Sequence, residues 1–282
     1  MIIWLASYPK SGNTWLRALL SNYYFSKDDS FDFSLLKEID SFPSERYFKN
    51  YPDKFEKPED TSKYWIKEQE KINRENKNYF LKTHNALCKI NGNKFTDKKN
   101  TLAAIYIIRD PRNVITSLSH HYQISIDQAL NFMQDKNRGL VSQENNRYIG
   151  FQPLLSWNLH VKSWTENTLY QTHIIRYEDL ISNTFASFEK TISFINKVTN
   201  SNDKFNQEKA KLCVKNCDFS NLKKLENKNG FNESMTKKGT NDKLKFFNLG
   251  KDNDYKNILK KEIAHQMTDY YKNELIKFNY NL

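Results

Sequence analysis

The sequence predicts an α/β fold, a parallel β-sheet flanked by α-helices on both faces. Three observations predict it. Short apolar runs alternate with longer helical patterns along the 282 residues, as in a parallel sheet sandwiched by helices. Leu102–Ile108 is apolar throughout, as in a central strand covered on both faces. Finally, the apolar run Ile2–Ala6 passes through Tyr8-Pro-Lys-Ser-Gly-Asn-Thr-Trp15 into a helical pattern. Such a strand-turn-helix leaves backbone N–H groups and the positive end of a helix dipole aimed at one spot. The length suits a single domain over residues 1–282 with inserted loops.

In order, strand Ile2–Ser7 is followed by a helix over 14–24. Residues 26–60 are polar, with Pro43, Pro52 and Pro58, and read as irregular. Ser62–Asn76 carries Tyr64, Trp65, Ile66 and Ile72 among charges and reads as an amphipathic helix. Tyr79–Lys82 is a short buried strand, with a loop to residue 100. After Leu102–Ile108, Pro111 suits the first residue of a helix. Helical patterns follow near 125–135 and 153–167, then strand His173–Ile175 and a helix from Tyr177 to Asn196. A helix over 204–215, a polar loop to about 250 and an amphipathic helix from 255 complete the chain.

Composition narrows the function classes. Hydrophobic residues make up 38% and mean hydropathy is −0.82, but 14% aromatics, each burying a large area, still allow a sizeable core. A net charge of +11 suits an anionic ligand or a lysine-rich solvated surface. The basic residues are dispersed without a nucleic-acid motif, so no nucleic-acid partner is expected. Cys88, Cys213 and Cys217 lack framework, zinc or redox spacing. That predicts reduced thiols, with Cys213 and Cys217 packing in a helix. No leader precedes the first strand and no apolar run nears membrane-spanning length, so a cytoplasmic chain without a membrane span is expected. The histidines show no metal-ligand spacing, so no metal is expected. Oligomeric state is left open.

The chemistry concentrates at predicted strand ends, where ligands bind on parallel sheets. Lys10, His84, Arg109 and Tyr177 all follow such ends. Lys10, Ser11, Thr14 and Arg17 surround the first turn with cationic and hydroxyl donors. A Walker A loop requires Gly-Lys-Ser/Thr, whereas Lys10 precedes Gly12, and Gly250-Lys251 is followed by Asp252. The turn is thus a relative of the phosphate cradle, and the sheet is of the P-loop type. Arg109, at a strand end, and Ser117, two helical turns on, can reach one phosphate, for which a guanidinium fork is well suited. The bland reading of Arg109 is a structural salt bridge, and Arg112 is expected to face solvent. His84, beside Lys82, can serve as a general base.

Tyr8–Trp15 resembles the 5′-phosphosulfate loop of PAPS-dependent sulfotransferases, with Asn13 where many members carry threonine. PAPS is 3′-phosphoadenosine 5′-phosphosulfate, and its product is PAP. The resemblance implies that Lys10, Ser11, Gly12, Asn13, Thr14 and Trp15 bind the donor. Arg109–Ser117 resembles the 3′-phosphate motif, making Arg109 and Ser117 ligands of that phosphate. By the family pattern Ser117 also holds Lys10 aside until the acceptor arrives. Phe80-Leu-Lys-Thr-His84 resembles the catalytic strand, in which His84 takes the acceptor proton and Lys82 helps bind the transferring group. Arg176–Leu180 resembles the segment whose tyrosine touches adenine, here Tyr177, while Glu178 and Asp179 complement a helix dipole. Cys217–Leu222 resembles the segment whose phenylalanine stacks on adenine; for Phe219, stacking and core packing stay open. His160–Trp164 also resembles a family segment and reads as helix packing.

The carboxy-terminal signature is altered. Phe247–Asn257 resembles the loop Arg-Lys-Gly-x-x-Gly-Asp-Trp-Lys-Asn. Asn248 and Leu249 replace the Arg-Lys pair that clamps the 3′-phosphate, Asn253 replaces the second glycine and Tyr255 the tryptophan. Gly250 is kept, and either Lys251 or Lys237-Lys238-Gly239 is expected to supply the missing charge. The activity implied is sulfuryl transfer from PAPS to a hydroxyl of a small-molecule or carbohydrate acceptor. Loops 26–60, 85–100 and 135–152 would set the acceptor. Two alternatives are a P-loop small-molecule kinase and an inactive nucleotide-binding relative. The kinase needs a strand-end aspartate for Mg²⁺, a part only Asp110 offers.

Overall fold

Five parallel strands, β1 (Ile2–Ser7), β2 (Asp40–Ser41), β3 (Tyr79–Thr83), β4 (Thr101–Ile108) and β5 (Gln171–Arg176), form the central sheet of the computed structural model. It describes residues 1–75 and 77–282. Strand order is β2-β3-β1-β4-β5. Side-chain alternation builds two layers from these strands. Ile2, Trp4 and Ala6 join Ala104, Tyr106 and Ile108 in one core cluster, while Ile3 and Leu5 join Ile105 and Ile107 in the other. Every residue of β1 is buried, which is why its sequence is apolar without interruption.

Helices cover both faces. On the Leu5 face lie α1 (Asn13–Phe25), α3 (Tyr177–Ser182) and α4 (Thr184–Thr199). Cys213 and Cys217 pack there too. On the Trp4 face lies α2 (Pro111–Tyr122), with the helix Trp157–Thr165 and the carboxy-terminal helices. Parallel register aligns the strand exits: Ala6 lies opposite Thr83, Ser7 opposite Ile107 and Ile108 opposite Arg176. Chain order reverses across β1 and β4, which opens a crevice at that edge.

Several boundaries differ from those expected. The segment 62–76 is a 3₁₀ turn Pro58–Tyr64, an α-helix Trp65–Ile72 and a 3₁₀ turn Asn73–Glu75; Asn76 lies outside the described residues. The helix expected from Tyr177 breaks at Asn183, whose side chain caps α4 by accepting from the Ala186 N–H. Residues 139–153 form a hairpin, Gly139–Glu144 paired with Arg147–Pro153, not an open loop. Its turn is Asn145-Asn146 at φ of 50° and 61°, a conformation asparagine tolerates. The expected polar loop contains a helix, α5 (Phe219–Asn229), capped by Asp218. The final helix is three pieces, Tyr255–Ile258, Lys261–Tyr270 and Lys272–Lys277.

Arg112 is a correction: it is only 1% exposed. Asp110 caps α2 and pairs with the Arg112 guanidinium at 2.7 and 3.0 Å. Arg112 also donates to Thr268 Oγ1 at 3.0 Å and to the Asn281 carbonyl at 2.6 Å. A capping carboxylate buried beside β4 demands a cation, and the carboxy-terminal segment closes over the pair. Arg112→Leu is therefore expected to lower stability by about 3–5 kcal/mol, the range for orphaning one member of a buried pair. Urea unfolding measures this; a loss below about 1 kcal/mol would show that the pair is not holding the segment.

Candidate active site

A cavity of about 550 Å³ opens at the carboxyl edge of the sheet. Lys10, His84, Arg109 and Tyr177, each just beyond a strand, all line it. The turn after β1 is fitted to Tyr177. Gly12 has φ of 103°, and a Cβ there would lie 2.4 Å from the Tyr177 ring, so glycine is required for both reasons. Asn13 turns back: its Nδ2 donates to the Leu5 carbonyl at 2.9 Å and to Ser7 Oγ at 3.3 Å, tying the turn to β1. Trp15 Nε1 donates to the Cys217 carbonyl at 2.8 Å, and its ring meets Tyr177 edge-on. Ser11 is buried behind the lining with its hydroxyl unpartnered.

Arg109 crosses the crevice. Its Nη1 donates to the Lys10 carbonyl at 3.0 Å and to Ser117 Oγ at 3.2 Å, and its guanidinium lies 4.2 Å from the centre of the Tyr177 ring. Its Nε is buried without a partner. Among the described residues Arg109 makes no ion pair; Arg112 is the structural salt-bridge partner instead. The expected Ser117–Lys10 link is replaced. Ser117 Oγ accepts from Arg109 and Asn253, while the Lys10 ammonium sits 3.8 Å above the Phe246 ring. Burial lowers the Lys10 pKa to about 7, with Glu233 opposing and Arg109 and Lys82 adding to the shift.

His84 is held by a backbone carbonyl. Its Nδ1 lies 2.8 Å from the Ser7 carbonyl, which can only accept, so the proton is assigned to Nδ1 and Nε2 keeps its lone pair. The same reasoning gives His160 an Nε2 proton, donated to the His84 carbonyl at 3.0 Å, while Tyr106 donates to its Nδ1 at 2.9 Å. Burial, reinforced by the Lys82 ammonium, lowers the His84 pKa to about 3. The imidazole is therefore neutral at physiological pH.

The carboxy-terminal loop contributes unevenly. Phe219, Asn248, Leu249 and Gly250 line the cavity. Phe219 is half-buried and so tight against Gly250 that a Cβ there would lie 2.7 Å from the ring. Lys251 is exposed and outside the lining, as are Lys237 and Lys238; the Lys238 ammonium donates to the Gln123 carbonyl at 2.8 Å. A second, apolar side of the cavity is made by Tyr122, Ile126, Leu140 and Ile258.

Glu233 carried no sequence signal, being one acid in an expected polar loop. Its carboxylate accepts from Arg17 at 2.6 Å, Thr14 Oγ1 at 3.1 Å and the Lys82 ammonium at 3.3 Å. Burial alone would raise its pKa, but Lys82 and Arg17 hold it well below the usual carboxylate range. His121 and Phe246 are further lining residues that the sequence did not announce. Glu233→Gln is expected to lower stability at neutral pH by about 2–3 kcal/mol, under the fully buried range because the carboxylate is partly exposed. The depressed carboxyl contributes fully above its ordinary value of 4.5 and loses that contribution as pH falls further. Urea unfolding should show the gap between wild type and variant narrowing below about pH 4.5; a constant gap would refute the ionic origin.

A family model described as "Sulfotransferase domain" matches residues 2–279. Among solved structures, mouse sulfotransferase SULT7A1 complexed with PAP is 18% identical, with a TM-score of 0.58, covering 97% of this chain and 84% of that one. Retinol dehydratase in complex with androsterone and inactive cofactor PAP is 17% identical, at a TM-score of 0.56, over 97% of this chain and 80% of that one. The same protein with retinol and PAP is 15% identical, at 0.58, over 97% and 81%. These likenesses concern the fold. No curated protein matches the chain by sequence.

Proposed function

The chain belongs to the sulfotransferase-domain family, and from that premise we propose that it transfers a sulfuryl group from PAPS to the hydroxyl of a small, apolar-bodied alcohol. The observation that carries this reading is the lone pair of His84 Nε2, left free by the Ser7 carbonyl in a cavity shared with Lys10, Lys82 and Arg109. The residues fit a phosphate-bearing donor, because Arg109 lines the cavity without an ion pair among the described residues and keeps a buried Nε without a partner. Bound PAPS would supply the activated sulfuryl group.

The protein's own residues do the rest. His84 Nε2 takes the acceptor's hydroxyl proton as the oxygen becomes nucleophilic. Lys10 and the backbone N–H groups at the N-terminus of α1 stabilise negative charge developing at the 5′-phosphate end, the logic of an oxyanion hole. Lys82 neutralises the transferring group. Arg109 and Ser117 hold the 3′-phosphate, and Trp15, Tyr177 and Phe219 wall the nucleoside. Tyr122, Ile126, Leu140 and Ile258 offer the acceptor an apolar surface. That chemistry agrees with the androsterone and retinol held by retinol dehydratase; a glycan acceptor is the competing class. A cytoplasmic setting, where thiols stay reduced, belongs to the same reading. Among the described residues no helix is long and apolar enough to cross a membrane.

A screen of apolar alcohols and glycans with labelled PAPS tests the proposal directly, and transfer to neither class would defeat it. His84→Ala is expected to cut turnover by roughly 10²–10⁴ while PAP binding, read by calorimetry, is retained. A fully active variant would remove His84 from the mechanism. Because the Lys10 pKa lies at about 7 and bound phosphates would raise it, PAP binding should take up protons above neutral pH and weaken as pH rises. Calorimetry in buffers of different ionisation enthalpy detects the uptake, and Lys10→Met should abolish it.

A further inference from the structure

Asn253 stands where the family signature carries glycine, and its side chain reaches from the carboxy-terminal loop into α2. It is 6% exposed and lines the cavity. Its Nδ2 donates to the Asn113 carbonyl at 2.9 Å and to Ser117 Oγ at 3.1 Å, while its Oδ1 accepts from Thr116 Oγ1 at 2.7 Å. The amide orientation is fixed because the Asn113 carbonyl can only accept. Both Nδ2 hydrogens are thus spent.

Ser117 Oγ therefore accepts twice, from Asn253 and from Arg109 Nη1 at 3.2 Å. A hydroxyl with both lone pairs taken has only its hydrogen left to offer, so it suits an anion and disfavours a donor group. Beside it, Arg109 Nε is buried and unpartnered. We propose that Asn253 is a positioning residue for the donor's 3′-phosphate: it orients Ser117 as a hydrogen-bond donor, so that Ser117 and Arg109 select nucleotides carrying that phosphate. This rests on the donor reading above. It also explains how the seat is organised although Asn248 and Leu249 bring no cation and Lys251 is exposed.

The contact is more than loop packing. The same loop is held to α2 independently by the Tyr255 N–H, which donates to Asn113 Oδ1 at 2.8 Å, and by Arg112, 4.3 Å from the centre of the Tyr255 ring. Removing the Asn253 amide leaves those ties and changes what Ser117 can do.

Calorimetry with PAP and with 5′-AMP on the full chain separates the outcomes. Asn253→Ala and Asn253→Gly are each expected to weaken PAP binding on the order of tenfold, the effect of a lost charge-assisted hydrogen bond, with 5′-AMP affinity changed by less than about twofold. Ser117→Ala should reproduce the loss, and Ser117→Ala combined with Asn253→Ala should be no weaker than Ser117→Ala alone. If the variants lose affinity for both nucleotides alike, or keep the wild-type preference for PAP, the positioning role is overturned. If the wild-type protein itself does not prefer PAP to 5′-AMP, the donor reading falls and this inference with it.

Discussion

Mutual repulsion among cations is the constraint around which this site is arranged. Arg17, Lys82 and Arg109 are buried and Lys10 is half-buried at one edge of a sheet that is itself covered on both faces. Among the described residues, only Glu233 pairs directly with any of them, meeting Arg17 and Lys82. Arg109 is met by a carbonyl, a hydroxyl and the face of Tyr177, and Lys10 by the face of Phe246. Burial brings Lys10 down to about 7, and the charges of Arg109 and Lys82 add to that shift against the opposing pull of Glu233. A pocket left with this charge surplus favours a polyanion over any neutral ligand.

The sheet makes the crowding possible. Parallel register brings the exits of β1, β3 and β4 level, so residues far apart in sequence meet without long side-chain reaches. Close packing then restricts what the strand exits and the carboxy-terminal loop can carry. Gly12 yields to the Tyr177 ring and Gly250 to Phe219, and the Ser7 carbonyl sets the tautomer of His84. A second support lies behind the imidazole, because Tyr106 and His160 hold the His84 carbonyl from below through one hydrogen-bond chain. The imidazole is therefore fixed on two sides by the sheet and by the helix Trp157–Thr165.

Legibility followed locality. The strands β1 and β4, the turn at Lys10–Thr14 and the start of α2 were readable because their signals are continuous: apolar runs, a glycine at a tight turn, a proline at a first helical position. The hairpin over 139–153 was not readable, since its alternation is weak and its turn is Asn145-Asn146 without glycine. The break at Asn183 and the helix after Asp218 were in principle visible as capping residues. Arg112 was misplaced because an arginine in a first helical turn is ordinarily solvated, and the carboxylate that buries it is met only once the fold is built.

By itself the sequence determined the layered sheet, the strand ends and the identities of the groups gathered there, since apolar periodicity and turn chemistry act over a few neighbours. Tertiary structure alone decided how those groups are paired. Glu233 meets Arg17 and Thr14 from 216 and 219 residues away, and Asn253 meets Ser117 from 136. Whether a charge is neutralised, or a hydroxyl donates or accepts, depends on what packs against it from distant segments, and no local pattern in the chain encodes that.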